Sequence, residues 1–305
     1  MLSPQQVQAL IRRHRLRDLV FSVTGLIVML VLLFLLGALF LTLLLDGWPA
    51  LTLDFFQGYP SRRAANAGIL PAWVGSLLVM LVTAMAAVPV GVAAGVWLEE
   101  YAPKNLFTEI LEINVNNLAG VPSIIYGLLG LGLLVHGLHL GQSIAAAGLT
   151  LAMMILPVVI VTTREAIRAV PQTIREAAYG LGATRWQVTR DHVLPYSVAG
   201  ILTGIIIGLS RAIGETAPLI TIGAVAFIAF LPPAPIQPDF PWLSFEWLST
   251  PFTVVPIQMF NWVSRPDAQF QVIAAASGVV LVVMTLTMNG VAIWLRYRAR
   301  KRIKW

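Results

Sequence analysis

Long uncharged runs alternate with short charged ones along this chain, and the uncharged runs have the length of membrane spans. Leu19 to Leu45 is a run of 27 residues without a charge, and residues 70–98 form a second, containing Pro71 and Pro89. Next come 51 uncharged residues, Ile113 to Thr163. At about 1.5 Å per residue that is too long for one helix across an apolar core of about 30 Å. A turn-like HGLHLGQ at 136–142 divides it into a third and a fourth span. A fifth runs over residues 197–231 and a sixth over 269–295. The pattern predicts an all-α, polytopic membrane protein with six transmembrane helices in one domain, residues 19–295, between tails 1–18 and 296–305. The first run is longer than the apolar core of a cleavable signal, roughly 7–15 residues, and lacks small residues at a cleavage site, so it reads as a retained, tilted span.

Composition agrees with the pattern: 58% of residues are hydrophobic and only 11% charged. The net charge of +6 is unevenly placed, so it argues for orientation in a membrane and against nucleic-acid binding. Sixteen of the twenty Lys and Arg residues fall on one side of the predicted spans and three (Arg62, Arg63, Arg265) on the other. The positive-inside rule then makes both termini cytoplasmic. With no cysteine, disulfides and thiolate chemistry are excluded. Residues 232–268 lie outside and carry prolines at 232, 233, 235, 238, 241, 251, 256 and 266, so they cannot be helical throughout. Trp242, Trp247 and Trp262 there read as side chains at headgroup depth, the alternative being a docking surface for an external partner.

Residues 164–196 interrupt the apolar pattern with five arginines (164, 168, 175, 185, 190) and three acids (Glu165, Glu176, Asp191). Such a segment protrudes from lipid, on the cytoplasmic side by its charge. Ala177 and Ala178 favour a short helix carrying Glu176, with Gly180 and Gly182 breaking it. Thr184 is placed to cap a second helix through Gln187 and Val188, and Pro195 returns the chain to the membrane. Glu176-Ala177-Ala178, then Gly182, then Leu194-Pro195 match the EAA pattern, which resembles the coupling loop of permease subunits of ABC importers. His192 stands where that pattern usually has isoleucine.

The fifth span contains two charges, Arg211 and Glu215, four residues apart and therefore about 40° apart around a helix. Charge at membrane depth is costly and reads first as functional; the bland alternative is a self-neutralising pair. Pro218 removes the amide that would bond the Gly214 carbonyl, which predicts a kinked helix. Gly204 and Gly208 form a GxxxG step that lets another helix approach closely.

The stretch RAIGETAP (211–218) looks like the signature of phosphate-specific transport permeases, and NLAGVPSIIYGLLG (117–130), AVPVGVAAGVWLEEYAP (87–103) and FTVVPIQMFNWVSRPDAQF (252–270) agree, the last favouring the A-type subunit. The resemblance implies the type I ABC importer permease fold and a site in the bacterial cytoplasmic (inner) membrane. It implies a substrate pathway at Arg211, Glu215 and Thr216, and ATPase coupling through Glu176, Ala177, Ala178, Gly182, Leu194 and Pro195. Its implied partners are a homologous C-type permease, a cytoplasmic ABC ATPase dimer, an extracytoplasmic phosphate-binding protein and membrane lipid. The chain has no GxxxxGK[ST] sequence, so ATP and Mg belong to the partner ATPase and no cofactor is expected here. No nucleophile–base arrangement or HExxH suggests catalysis. Alternatives are a permease for another oxyanion, such as sulfate or molybdate, or an ion-coupled secondary transporter. Among weaker signals, His136 and His139 lack the partners of a metal site. Asn114, Asn116 and Asn117 read as caps of the third span, and Glu99 and Glu100 as solvated loop acids.

Overall fold

The structure, a computed structural model, describes residues 4–225, 227–237 and 242–301, with the backbone alone for 4–12, 299 and 300. The first three residues, Pro238 and Pro241 of the external loop, and residues 302–305 of the basic tail lie outside the described residues. In chain order the helices are α1 (Pro4–Gly47), α2 (Leu53–Gln57), α3 (Leu70–Val96), α4 (Leu106–Leu118), α5 (Ser123–Gly130) and α6 (Ile144–Arg168). They continue with α7 (Gln172–Gly180), α8 (Arg185–Gln187), α9 (Leu194–Ile213), α10 (Ala217–Ile222), α11 (Val255–Val263) and α12 (Ala268–Lys301). Wider π turns extend α3 over Trp97–Tyr101 and α5 over Leu131–Gly137, and link α8 to α9 over Val188–Val193. Among the described residues the one extended pairing is an isolated bridge between Ile236 and Leu243.

Five stretches are long and apolar enough to cross a membrane: Arg13–Ala50, Leu70–Tyr101, Ile144–Arg168, Arg185–Ile213 and Ala268–Arg298. The predicted third span is different. It does not start at Ile113: α4 is a separate amphipathic helix, and the chain turns by 106° before Ser123–Gly137. Gly120 and Pro122 explain the break, because the residue before a proline is driven out of helical geometry. For the same reason Asn114 and Asn117 lie inside α4 rather than capping a span. Asn114 donates to the Ile110 carbonyl, and the cap that forms is Asn105, which accepts from Thr108 N at 3.0 Å.

Helices α3, α6 and α9 pack through small residues. A Cβ at Gly91 or Gly95 of α3 would collide with Val159 or Thr163 of α6, and one at Gly204 of α9 with Thr162. In an apolar solvent, close backbone approach of this kind supplies the packing contacts that water cannot drive. The expected GxxxG step is thus used, with Gly208 against Val159 and Ile155. Thr83 adds a hydrogen bond from α3 to the Gly148 carbonyl at 3.1 Å. Helix α12 packs against α9, α11 and the far end of α1, where Gly47 abuts Ala275 and Ala276.

The proline-rich segment departs from its predicted place. Trp242 is exposed, but Trp247 and Trp262 are buried in the protein, Trp262 completely, against Phe55 and the α12 residues Ile273 and Ala276. Residues 250–254 run in extended form between helices: Ser76 Oγ accepts from Val255 N at the start of α11, and Ile144 N donates to Thr250 O. Proline confines this strip to non-helical backbone, and its polar groups find partners on the neighbouring helices, the Thr250 carbonyl on α6 and, at the start of α11, the Val255 amide on α3.

Candidate functional site

The 164–196 segment projects from one end of the bundle as two short helices around a tight turn. Helix α7 starts after Pro171 and ends at Gly180; Gly182 then takes φ +82°, a left-handed conformation natural to glycine. Thr184 forms the predicted cap as a reciprocal box: its hydroxyl accepts from Gln187 N at 3.4 Å, and Gln187 Oε1 accepts from Thr184 N at 2.8 Å. A small core holds the hairpin together, with Ala178 packed among Ile167, Val170, Val188 and Val193. The EAA residues are therefore divided. Ala178 faces inward, whereas Glu176 and Ala177 are exposed beside Tyr179, Leu181 and Trp186. Leu194 and Pro195, half-buried, open α9, and His192 is exposed, so its departure from isoleucine costs no internal packing.

Arg211 lies in the last turn of α9, and the helix ends at Ile213 with Gly214 as its cap. The predicted kinked helix is instead a break: Glu215 and Thr216 form the connection to α10, and Pro218 sits in the first turn of α10. Proline is tolerated there because that amide has no helical partner to lose. Across the break Arg211 Nε reaches Glu215 Oε1 at 3.4 Å, a loose ion pair with side chains 41% and 19% exposed. Thr216 is half-buried, and its carbonyl accepts from Leu219 N and Ile220 N. Next to Arg211, Ser210 donates to Asn289 Oδ1 of α12 at 2.5 Å, which ties the end of α9 to α12. On its other side α10 is pressed against α5, where Gly127 leaves room for Pro218 and Thr221.

The sequence profile of binding-protein-dependent transport system inner membrane components matches residues 87–305. The chain belongs to this family. It is an ABC importer permease, a multi-pass protein of the inner membrane. It is 30% identical over 270 residues to the "Probable ABC transporter permease protein YqgI" of Bacillus subtilis, covering 87% of this chain and 90% of that one. It is 32% identical over 253 residues to the "Phosphate transport system permease protein PstA" of Xylella fastidiosa, covering 81% of each. A PstC of Mesorhizobium japonicum is 32% identical over 237 residues, 68% of this chain and 72% of that one. An inward-facing structure of the MetNI methionine ABC transporter superposes with TM-score 0.58 at 16% identity, covering 74% of this chain and 93% of that chain, and shares the fold.

Within this permease the structure unites residues that lie far apart in the sequence pattern. Glu99 and Glu100 are not free loop acids: Glu100 is buried, Glu99 is partly exposed, and both are ion-paired. Glu100, 8% exposed, accepts from Arg175 Nη2 at 2.9 Å, and Glu99 pairs with Arg168 at 2.9 Å. Arg164, in the last turns of α6, bonds Glu112 of α4 at 2.6 Å and lies 3.5 Å from Glu99. A signal exists in the sequence: acids gather at 99, 100 and 112 while arginines gather at 164, 168 and 175, on the same predicted side. Which acid meets which arginine depends on the packing of α3, α4 and α6.

Proposed function

We propose that this chain is the A-type permease subunit of an ATP-driven importer of inorganic phosphate. The observation that carries the reading is the Arg211–Glu215 pair at a helix break, in a permease whose relatives include phosphate transport system proteins. A guanidinium keeps its charge at any physiological pH and offers directional donors to an oxyanion. The carboxylate four residues on holds that guanidinium loosely and leaves it part-exposed. Beside an anion a carboxylate repels, unless the anion brings a proton. Phosphate near neutral pH retains a P–OH that Glu215 can accept, and sulfate has none, so the pair discriminates between them. Thr216, adjacent, supplies a further polar contact.

In this reading the 164–196 hairpin docks on a cytoplasmic ATPase dimer through Glu176, Ala177 and the turn at Gly182. Ala178, Leu194 and Pro195 hold its shape. Both termini face the cytoplasm, a C-type permease completes the pathway, and an external phosphate-binding protein delivers substrate. ATP and Mg reside on the ATPase.

Uptake of labelled phosphate and sulfate by the reconstituted importer tests the assignment. Arg211→Gln is expected to lower phosphate uptake by about 10- to 100-fold, the loss of a charged hydrogen bond, and Arg211→Lys to restore part of it. Glu215→Gln is expected to admit sulfate. Unchanged phosphate uptake and sulfate rejection in Glu215→Gln would reduce the pair to a structural one, and sulfate as the wild-type cargo would make the chain a permease for another oxyanion.

A further inference from the structure

Arg175 stands at the junction of three elements. It belongs to the first turn of α7, yet its guanidinium reaches back to the end of α6, where Nη1 donates to Val170 O at 2.6 Å and Nη2 to Ile167 O at 2.9 Å. Ile167 lies in the last turn of α6 and Val170 in the turn that follows it, so the guanidinium closes off the C-terminal end of that helix. The same guanidinium meets Glu100 Oε1 through Nε at 3.2 Å and Nη2 at 2.9 Å. Both side chains are nearly buried, at 12% and 8% exposure. Glu100 sits in the π turn Trp97–Tyr101 that ends α3.

The next residue of that π turn is held by the other half of the hairpin. Tyr101 OH donates to Thr189 Oγ1 at 3.3 Å, and the Arg185 guanidinium lies 5.2 Å from the Tyr101 ring centre. On the other side of Glu100, Glu99 is gripped by Arg168 and approached by Arg164 from α6. Three consecutive side chains of one π turn thus engage α6, α7 and the α8–α9 junction. A π turn sets successive side chains at a wider register than an α-helix does, and such turns often occur at functional sites.

We propose that the Glu100–Arg175 pair is a clamp that makes the coupling hairpin, the end of α3 and the end of α6 move as one body, so that displacement of the hairpin by the ATPase is passed to the spans. This rests on the coupling role of the hairpin. Arg175 and Glu100 are positioning residues, since the exposed surface of α7 is carried by Glu176, Ala177 and Tyr179. A flexible joint between α6 and α7 would absorb a push from outside. A buried, doubly hydrogen-bonded ion pair that also caps α6 does not, because moving either partner alone strands a charge away from water. The hydrophobic core of the hairpin does not tie it to α3 in this way. Its contacts are to α6 and α9, and α3 reaches that core only through half-buried Val96.

The test uses the assembled importer in vesicles, with labelled phosphate as the transported probe. Glu100→Gln and Arg175→Met are each expected to lower phosphate uptake per ATP hydrolysed about tenfold while ATP hydrolysis itself changes by less than about twofold. A parallel fall of both activities, or an unchanged ratio, overturns the clamp. Spin labels at Lys104→Cys and Gln172→Cys, exposed positions in a chain with no other cysteine, read the same idea without touching the pair or the substrate. With the native pair, their separation is expected to stay constant between nucleotide-free and ATP-bound complexes; a separation that changes with ATP overturns the proposal. Gly182→Trp distinguishes the two levels. Normal uptake in that variant removes the coupling role itself, whereas uncoupling by Gly182→Trp with none by Glu100→Gln removes the clamp alone.

Discussion

At the scale of single residues, the backbone role of Gly182 and its proposed docking role separate experimentally. Its φ of +82° disfavours any side chain, by about 1–2 kcal/mol, while the space around its would-be Cβ is open. Asparagine visits this backbone region most readily among the other residues. Gly182→Asn is therefore expected to retain most uptake, and Gly182→Trp to lose it through its bulk on the docking surface rather than through misfolding. Uptake measured alongside the yield of assembled complex checks both. Thr184→Ala removes the hydroxyl half of the capping box and is expected to destabilise the start of α8 by about 1 kcal/mol. Faster amide hydrogen exchange around residues 185–188 is the measurement.

At the scale of elements, contact between α6 and α9 depends on glycine. A Cβ at Gly204 would overlap Thr162, whereas Gly290 of α12 has open space around it. Gly204→Leu is expected to cost at least about 1–3 kcal/mol by overpacking, and Gly290→Leu close to nothing. Thermal unfolding of the detergent-solubilised protein would separate them, and equal losses would mean that the α6–α9 contact is not set by Gly204. The same scale explains why the third span does not begin where the charge pattern puts it. An uncharged run fixes how much chain can be in lipid, but Gly120 and Pro122 decide where the helix axis turns. The interfacial reading of Trp262 fails for a related reason. Its amphipathic ring suits an interface in general, and only the packing of α11 on α12 takes it out of contact with lipid or water.

At the scale of the whole molecule, the charge map and the structure meet in the hairpin. Its end of the bundle gathers Arg164, Arg168, Arg175, Arg185 and Arg190, and Lys301 of the basic tail lies beyond the last span. The proposed orientation places Ala65 and His139 outside, and Gln172 and Lys301 inside. Single cysteines at 65 and 139 are expected to react with an impermeant thiol reagent applied from outside, and those at 172 and 301 only after permeabilisation. The reverse pattern would turn the hairpin away from ATP and remove its coupling role. Helix α1 leaves its shaft, including Phe21 and Phe34, exposed, and packs on α12 over its last turns, where Leu43 meets Gly278 and Gly47 meets Ala275 and Ala276. Within this chain that shaft contributes apolar length and no core.

Hydrophobic run length and charge placement alone determined that the chain is a helical, multi-pass membrane protein. The EAA spacing, Gly182 and Thr184 specified the hairpin, because short-range signals act over one or two turns and need no distant partner. The charged pair at 211 and 215 was legible as a costly intramembrane feature, but whether it lay on one helix or across a break was not. Gly214 and Pro218 allow both, and the packing of α10 on α5 selects the break. The sequence showed acids and arginines gathered on one side, but not that Glu100 pairs with Arg175, 75 residues away. Ion pairing at that separation is decided by how helices stack in three dimensions, and no local pattern of residues encodes it.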